Sequence, residues 1–160
     1  MLALALSAEL EGVTELQPQD TENAPFYYTF KVQCTSCRET HPNWVSISRF
    51  ENNEQSGSRG EANFVWRCKN CKREHSASII NSPSIYVQQS PPKKQNVIEI
   101  DCRGLEFTEF KADGEWLAVG IESGTKFSDI DLSEGEWFDY DEKAGEEVSI
   151  KDIKWEIRRA

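Results

Sequence analysis

The chain has 160 residues, of which 38% are hydrophobic and 11% aromatic, enough for a packed core and too many for a disordered polypeptide. Its net charge of −10 is concentrated in residues 99–147, which hold sixteen acidic and four basic side chains. A surface this acidic repels nucleic acid, because a protein's affinity for nucleic acid comes mainly from basic side chains that neutralise the phosphates. No apolar run approaches the roughly 20 residues of a membrane-spanning helix, and Met1–Leu6 lacks the basic flank of a secretory signal.

Cysteine use and charge also predict where the protein works. Five cysteines are an odd number, and four of them fall in metal-binding pairs, so we expect a reducing compartment. The prediction is a monomer in the cytoplasm, small enough to enter the nucleus as well, that binds neither nucleic acid nor membranes. A protein partner is expected, since the acidic second half favours basic proteins.

The first ninety residues alternate in the manner of β-strands. Apolar residues recur at every second position in 2–10 and again in 26–32, which leads into the first cysteine pair. The chain returns through 44–47, and residues 64–68 alternate into the second cysteine pair before 76–80. This pattern predicts two hairpins, each tipped by a C-x-x-C turn.

The two C-x-x-C pairs stand thirty residues apart. Each pair delivers two sulfurs to the same side of a tight bend, and Zn²⁺ accepts four such ligands in a tetrahedron. Basic residues that flank the pairs favour thiolate over thiol. The sequence therefore predicts one structural zinc ion, the expected cofactor, held by Cys34, Cys37, Cys68 and Cys71.

The spacing leaves other roles for these residues open. A redox dithiol needs only one C-x-x-C pair, usually one that opens a helix, so two matched pairs favour a metal. The same thiolates would also suit exchangeable zinc or Cu(I). His41 and His75 lie close to the pairs and could replace a sulfur, but we assign them to the surroundings of the site.

Both turns lack the glycine that commonly follows the second cysteine of a zinc-binding turn. Arg38 and Lys72 take that place. Either the turns avoid the left-handed conformation, or each bears a cost of about 1 kcal/mol. A zinc-binding energy of about 10–16 kcal/mol would offset that cost.

A proline-rich connector divides the chain. Residues 82–95 contain three prolines and two adjacent lysines, a composition typical of an extended link. We predict a zinc-binding β domain at 1–90 and an acidic, metal-free β domain at 96–160. The first strand could pair across this boundary.

The second half repeats strand-like segments between glycines. It also parallels the first half, because Leu10–Val13 and Cys102–Leu105 open the two halves alike and Phe64–Trp66 matches Trp137–Asp139. The turn at 141–145 would then stand where the first half has its second cysteine turn. We predict an all-β fold of two small barrel- or sandwich-like units with approximate internal symmetry, the first carrying a zinc-ribbon-like site of four cysteines. The predicted strands of this half are 97–102, 115–119, 126–132, 137–140, 147–150 and 153–157.

Five segments in the two halves match a known pattern, namely Cys34–Cys37, Gly57–Gly60, Phe64–Glu74, Cys102–Gly104 and Glu134–Asp141. Together they resemble the eukaryotic CXXC-motif-containing zinc-binding protein family. The resemblance spans nearly the whole chain and implies two β-barrel-like units, a zinc ion held by four cysteines in the first, and no known catalysis. The spacing argument for zinc does not depend on it.

Three other features are candidate sites. Cys102 beside Arg103 could be a reactive thiol, but a cysteine at the end of an apolar strand is usually buried and inert. Arg59, between glycines, could bind an anion or clamp the halves together, or simply lie in a loop tip. The carboxylates of Glu134–Asp141 could suggest an acid–base pair, yet no nucleophile, phosphate-binding loop or H-x-x-x-H pattern accompanies them.

The sequence therefore favours a non-enzymatic zinc-binding protein with one structural Zn(Cys)₄ site, acting as a protein-interaction module. The alternative is a metal-handling or thiol redox-responsive protein. Resistance to a mild chelator distinguishes the two, because a closed structural site holds its ion and an exchange site releases it with the fold intact.

Overall fold

The computed structural model describes residues 1–56 and 60–160, and its regular structure consists of β-strands. Among these residues there is no helix long and apolar enough to cross a bilayer. The all-β prediction is confirmed. The strands are β1 (Leu2–Glu11), β2 (Val13–Pro18), β3 (Tyr28–Cys34), β4 (Val45–Ile47), β5 (Asn53–Glu54), β6 (Glu61–Ala62), β7 (Phe64–Arg67), β8 (Glu74–Ile79), β9 (Gln95–Arg103), β10 (Leu105–Lys111), β11 (Trp116–Gly120), β12 (Lys126–Ile130), β13 (Trp137–Asp141) and β14 (Glu146–Arg159).

Three sheets carry most of the structure. The central sheet has the strand order β13-β14-β1-β9-β8-β7 and curls like half a barrel. The first side sheet has the order β10-β3-β4, and the second has the order β12-β11-β2. The pairings are antiparallel, which lets one face of a strand pack on the core while the other meets water. This is why apolar residues alternate along the chain.

The two halves repeat one plan about the middle of the central sheet, where β1 pairs with β9. β14 and β13 follow β1 on one side, and β8 and β7 follow β9 on the other. In the side sheets, β2 joins β11 and β12, while β10 joins β3 and β4. The predicted internal symmetry is therefore confirmed. The pairing of β1 across the boundary was expected from the sequence, whereas the pairing of β2 with β11 and of β10 with β3 was not.

A glycine turns the chain between the two opening strands of each half. Gly12 has φ 73° and Gly104 has φ 84°, in the left-handed region that favours glycine. A Cβ added at Gly12 would lie 2.7 Å from Val148 Cγ1, and one at Gly104 would lie 2.0 Å from His75 Nδ1. Both turns therefore require glycine, and Val148 and His75 stand at matching positions of the two halves.

The connector between the halves is docked against the body of the protein. Tyr86, which is buried, donates its hydroxyl to Lys93 O at 2.7 Å, and its backbone pairs with Leu16. Each of the three sheets combines strands from both sides of the connector. The division into a zinc-binding domain at 1–90 and an acidic domain at 96–160 stays a prediction. β1 pairs with β9 and β14 of the second half, across this boundary.

Aromatic side chains from both halves meet in one core. The rings of Phe30 and Phe107 stack with centroids 4.4 Å apart, and Trp116 contacts both Phe26 and Trp155, at 5.4 and 5.5 Å. Burying a large apolar side chain stabilises a fold by about 1.5–3 kcal/mol. This shared core holds β3, β8 and β10 together at the end of the molecule where the cysteine turns emerge.

Candidate metal centre

The first cysteine turn begins where β3 ends. Cys34 is the last residue of β3, and its carbonyl accepts a hydrogen bond from Arg38 N at 2.9 Å. Its own amide donates to Glu39 O at 3.0 Å. Thr35 N donates to Gly104 O at 3.0 Å, so a hydrogen bond joins the first cysteine turn to the glycine turn between β9 and β10.

The second cysteine turn joins β7 to β8 and has the same backbone geometry. Lys72 N donates to Cys68 O at 2.9 Å, and Cys68 N donates to Arg73 O at 3.0 Å. The guanidinium of Arg67 donates to Lys72 O at 2.8 Å and closes the base of the turn. The chain thus presents two copies of one sulfur-bearing turn, from the first side sheet and from the central sheet.

Both turns adopt the left-handed conformation without glycine. Arg38 has φ 65° and Lys72 has φ 66°. Of the two possibilities raised by the sequence, the turns therefore bear the backbone cost, which is about 1–2 kcal/mol for each residue.

The structure brings together the sulfurs of all four predicted ligands. The sulfurs of Cys34 and Cys71 lie 3.6 Å apart, as do those of Cys37 and Cys68, and all four sulfurs lie within 4.8 Å of one another. A ZnS₄ tetrahedron with Zn–S bonds of about 2.3 Å has edges of about 3.8 Å. A disulfide would need about 2.05 Å. The cluster therefore fits a tetrahedral ion and does not fit a disulfide.

The four thiols differ in exposure and in acidity. Cys34 and Cys68 are buried, whereas Cys37 and Cys71 are partly exposed. A hydrogen bond with the Asn70 side chain, helped by one with the Glu39 backbone, lowers the pKa of Cys37 to about 6. A backbone hydrogen bond with Arg73 lowers the pKa of Cys71, but burial and the neighbouring sulfurs outweigh it and raise this pKa to about 11. Zinc binding must therefore displace a proton that Cys71 holds more tightly than Cys37 does.

His75 contacts the cluster from behind. Its Nε2 lies 3.2 Å from Cys34 Sγ, and burial lowers its pKa, which favours the neutral ring. The tautomer with the proton on Nε2 donates a hydrogen bond to the sulfur, an outer-shell contact that orients a metal ligand and tunes its charge. Val148 takes the matching position in the second half, so the imidazole belongs to the cysteine half alone.

His41 lies farther from the sulfurs. Its ring packs against Trp66 at 5.8 Å, and Trp66 in turn lies 6.0 Å from His75. Both histidines therefore lie near the site without being among its ligands, as the sequence suggested. The metal cluster found among the described residues consists of the four cysteines.

The second half repeats the two turns without sulfur. Gly124 N donates to Gly120 O at 2.9 Å, and Gly145 N donates to Asp141 O at 2.8 Å, as in the cysteine turns. Gly124 and Gly145 have φ 70° and 68°, so glycine stands where the first half has Arg38 and Lys72. The matched positions are Cys34 and Gly120, Cys37 and Ser123, Cys68 and Asp141, and Cys71 and Ala144.

A buried carboxylate joins these sulfur-free turns. Asp141 accepts hydrogen bonds from Ser123 Oγ and, at 3.0 Å, from Thr125 Oγ1, and Ala144 N donates to it at 3.2 Å. These contacts, with the Ser123 bond first among them, lower the pKa of Asp141. Asp141 thus cross-links two turns by hydrogen bonds in the place where the first half has its sulfur cluster. The sequence placed this turn opposite the second cysteine turn but did not identify the carboxylate as the link.

The remaining candidate residues have ordinary structural places. Burial raises the pKa of Cys102 to about 12, which keeps this thiol protonated. Glu134, Glu136 and Asp139 are exposed, and Asp141 is held by hydrogen bonds from Ser123, Thr125 and Ala144. Arg59 lies outside the described residues.

Comparison with known proteins identifies the family. The model of a family described as CXXC motif containing zinc binding protein, eukaryotic, matches residues 3–158. The chain belongs to this family. A member of this family from Homo sapiens, named CXXC motif containing zinc binding protein, is 39% identical over 153 residues, which cover 95% of this chain and 94% of its own. The family name and the four-cysteine cluster together support Zn²⁺ as the metal.

Other relatives extend the likeness to the whole fold. A UPF0587 protein from Schizosaccharomyces pombe is 49% identical over 158 residues, covering 99% of this chain and 98% of its own. The crystal structure of C1orf123 superposes with a TM-score of 0.90 at 37% identity and covers 99% of both chains. A hypothetical protein from Plasmodium falciparum shares the fold, with a TM-score of 0.84 at 20% identity over 98% of both chains.

Proposed function

We propose that this member of the zinc-binding family is a non-enzymatic protein-interaction module in which Cys34, Cys37, Cys68 and Cys71 hold one structural zinc ion. The observation that carries the proposal is the meeting of two turns from different sheets at one cluster of sulfurs, all within 4.8 Å. An ion bound there joins the first side sheet to the central sheet. Its chemistry is that of a cross-link, because four protein ligands leave no open position for a substrate.

The energetics favour a structural role for the ion. Structural zinc contributes about 10–16 kcal/mol of apparent binding energy, comparable to total domain stabilities of about 5–15 kcal/mol. The cysteine turns also carry two left-handed residues that are not glycine. The metal offsets this backbone cost, whereas the second half uses glycines and a carboxylate instead.

The proposed partner is a protein with a basic surface. Residues 99–147 carry a net charge of minus twelve, which supports electrostatic attraction to such a protein and repulsion from nucleic acid. We place the protein in the cytoplasm with access to the nucleus, as a monomer away from membranes. None of the described cysteines is in a disulfide, which supports a reducing compartment.

Stripping the metal tests the structural role. Zinc removal by a strong chelator should abolish the fixed packing of Trp66 and the side sheet around β3, seen as lost near-ultraviolet circular dichroism. A mild chelator should leave the ion bound. If the zinc-free protein keeps the spectrum and the unfolding midpoint of the native protein, the ion is not structural.

Affinity capture from cell extract tests the interaction role. The native chain is compared with a Cys68→Ser/Cys71→Ser variant and with a variant neutralised at the exposed carboxylates of 134–142, namely Glu134, Glu136, Asp139 and Glu142, which keeps the buried Asp141. We expect partners to be lost from the neutralised variant, which should keep its zinc. Equal capture by the native chain and the neutralised variant contradicts a partner that recognises the acidic half.

One observation favours metal handling as a second candidate. Cys37 and Cys71 are partly exposed, and a cavity of about 230 Å³ opens beside Cys68, lined among others by Trp66 and Asn70. An incoming thiolate or chelator could reach the ion by this route. Rapid exchange of bound zinc with labelled zinc, with the fold unchanged, would favour this function over the structural one.

A further inference from the structure

A shallow groove with two exposed aromatic rings lies on the outer face of the central sheet. Phe138 and Tyr140 belong to β13, the edge strand of this sheet, and are 60% and 50% exposed. The groove has a volume of about 520 Å³. Contiguous apolar patches on the surface of a soluble protein are one mark of an interaction site.

The register of β13 against β14 fixes how the two rings stand. Phe138 pairs with Ser149 and Tyr140 pairs with Glu147, so these four side chains share the outer face while Trp137 and Asp141 turn towards the core. Residues two apart on an antiparallel strand lie about 6.8 Å apart. This spacing would allow one planar group to stack between the two rings.

Carboxylates give the groove a negative charge. Its ionisable lining consists of Glu11, Asp139, Glu147 and Lys151. Lys151 is already engaged, because its Nζ lies 3.5 Å from Glu11. Asp139 pairs with Val148, so its side chain alternates with those of Phe138 and Tyr140, and its Oδ1 accepts a hydrogen bond from Tyr140 N at 2.7 Å. Among the described residues Glu147 has neither an ion-pair nor a side-chain hydrogen-bond partner, so its carboxylate is available at the side of the gap.

The chemistry of this groove selects arginine over other cations. A guanidinium is planar, stacks on aromatic faces and pairs with a carboxylate through two parallel hydrogen bonds. An ammonium is a compact point charge that cannot stack between two rings. A cation held between aromatic faces next to a carboxylate gains cation–π attraction in addition to the ion pair.

We propose that the Phe138–Tyr140 groove binds an arginine side chain of a basic segment in a partner protein. The guanidinium stacks between the two rings and pairs with Glu147. This inference rests on the proposed interaction role and names its surface and its partner's chemistry. It does not depend on the metal.

Binding of short peptides to the zinc-loaded full chain tests the groove. The probe is a fluorescein-labelled peptide of alternating arginine and serine, compared with peptides in which lysine or the neutral isostere citrulline replaces arginine. At physiological salt the arginine peptide should bind at least about tenfold more tightly than either, because only arginine offers both the planar face and the charge. Amide resonances should shift in β13 and around Glu147 in a ¹⁵N spectrum.

Matched variants decide whether the aromatic rings matter. Phe138→Ser/Tyr140→Ser should weaken the arginine peptide about tenfold or more, and Glu147→Gln should weaken it several-fold. Tyr27→Ser/Val87→Ser removes two other exposed apolar side chains and Glu142→Gln another exposed carboxylate, so neither should change binding. Unchanged unfolding midpoints show that all variants remain folded.

Three results would overturn this inference. They are the absence of binding by the arginine peptide, equal affinity for the lysine peptide, and undiminished binding by Phe138→Ser/Tyr140→Ser. Any of them leaves the zinc site and the capture of partners by another part of the acidic half intact. Conversely, loss of zinc by the native chain contradicts the proposed metal role without affecting the peptide result.

Discussion

Asp141 occupies in the second half the backbone position that Cys68 occupies in the first. Each residue closes its turn by accepting a hydrogen bond from the amide four residues on, Gly145 N at 2.8 Å for Asp141 and Lys72 N at 2.9 Å for Cys68. Each residue also links its turn to the other turn of the same half. Asp141 does so through Ser123, and Cys68 does so through the sulfur cluster. The two turns of the first half are therefore cross-linked by the sulfur cluster, and the two matching turns of the second half by a carboxylate.

This relationship predicts that a second metal site can be installed. Replacing the four matched residues, Gly120, Ser123, Asp141 and Ala144, by cysteine should raise bound zinc from one to two ions per chain. A Cβ at Gly120 would lie 2.5 Å from Asp141 Oδ2 and 2.6 Å from Ser123 Oγ, and both side chains are replaced in the same variant. Elemental analysis and cobalt absorption measure the outcome. If the variant folds and still binds one ion, the two pairs of turns are not equivalent.

Asp141 also predicts a pH dependence of stability. Its pKa is lowered in the folded protein, chiefly by the Ser123 hydrogen bond, relative to about 3.9 for an unfolded aspartate. The carboxylate therefore stabilises the fold above the unfolded pKa, and this contribution is lost as the pH falls through the folded pKa. Asp141→Asn should be less stable at neutral pH, and the difference from the native chain should shrink in acid. A difference in unfolding free energy that stays constant below pH about 4 contradicts this account.

The left-handed residues of the cysteine turns predict a gain in stability. Arg38→Gly and Lys72→Gly should each stabilise the zinc-loaded protein by about 1 kcal/mol, because glycine adopts φ near 65° without steric cost. Urea unfolding measures the change. The matched control is Gly124→Ala in the second half, which should lower the stability of the protein by about the same amount because its φ is also positive. Destabilisation by Arg38→Gly would show that its side chain matters more than its backbone.

Gly104 controls the contact between His75 and the metal cluster. A Cβ at this position would lie 2.0 Å from His75 Nδ1, so Gly104→Ala must displace the imidazole from Cys34 as well as strain the backbone. We expect a loss of more than about 2 kcal/mol together with about tenfold faster zinc release, within the range for outer-shell changes.

Two controls separate strain from the loss of the histidine contact. Gly124→Ala meets no atom within 4 Å and should show only the backbone cost. His75→Ala should show faster zinc release without backbone strain. Zinc release at the native rate from both Gly104→Ala and His75→Ala argues against a role for the imidazole in holding Cys34.

Much of the fold was predictable because alternation survives in the strands that have one face in the core. β3, β7 and β13 lie within a few residues of their predicted places. The predicted break between 147–150 and 153–157 was wrong, because β14 runs through Glu146–Arg159 with an irregularity opposite Ala8, where Asp152 has φ 52°. A bulge interrupts the sequence pattern without ending the strand.

Apart from the pairing of β1 across the boundary, the sequence did not predict which distant strands pair. β10 was missed as a separate strand, and nothing local indicates that it pairs with β3 across the connector. The prolines of the connector predicted an extended link, but the buried Tyr86 anchors it. Such contacts join residues far apart in the chain, and only the assembled core specifies them.

The metal site was predictable to the residue because ligand chemistry is local, with two sulfurs in each short turn. The side-chain contacts around the four ligands were harder to predict from the sequence. The Nε2 contact of His75 with Cys34 depends on the approach of Gly104 from another strand. A glycine that precedes a strand in both halves, at Gly12 and Gly104, was the signal available in the sequence.

Elemental analysis of the purified chain tests the central claim most directly. The native protein should contain one zinc ion per chain, and Cys68→Ser/Cys71→Ser, which keeps the other half intact, should contain none. A native chain that folds fully without any stoichiometric transition metal would contradict the account.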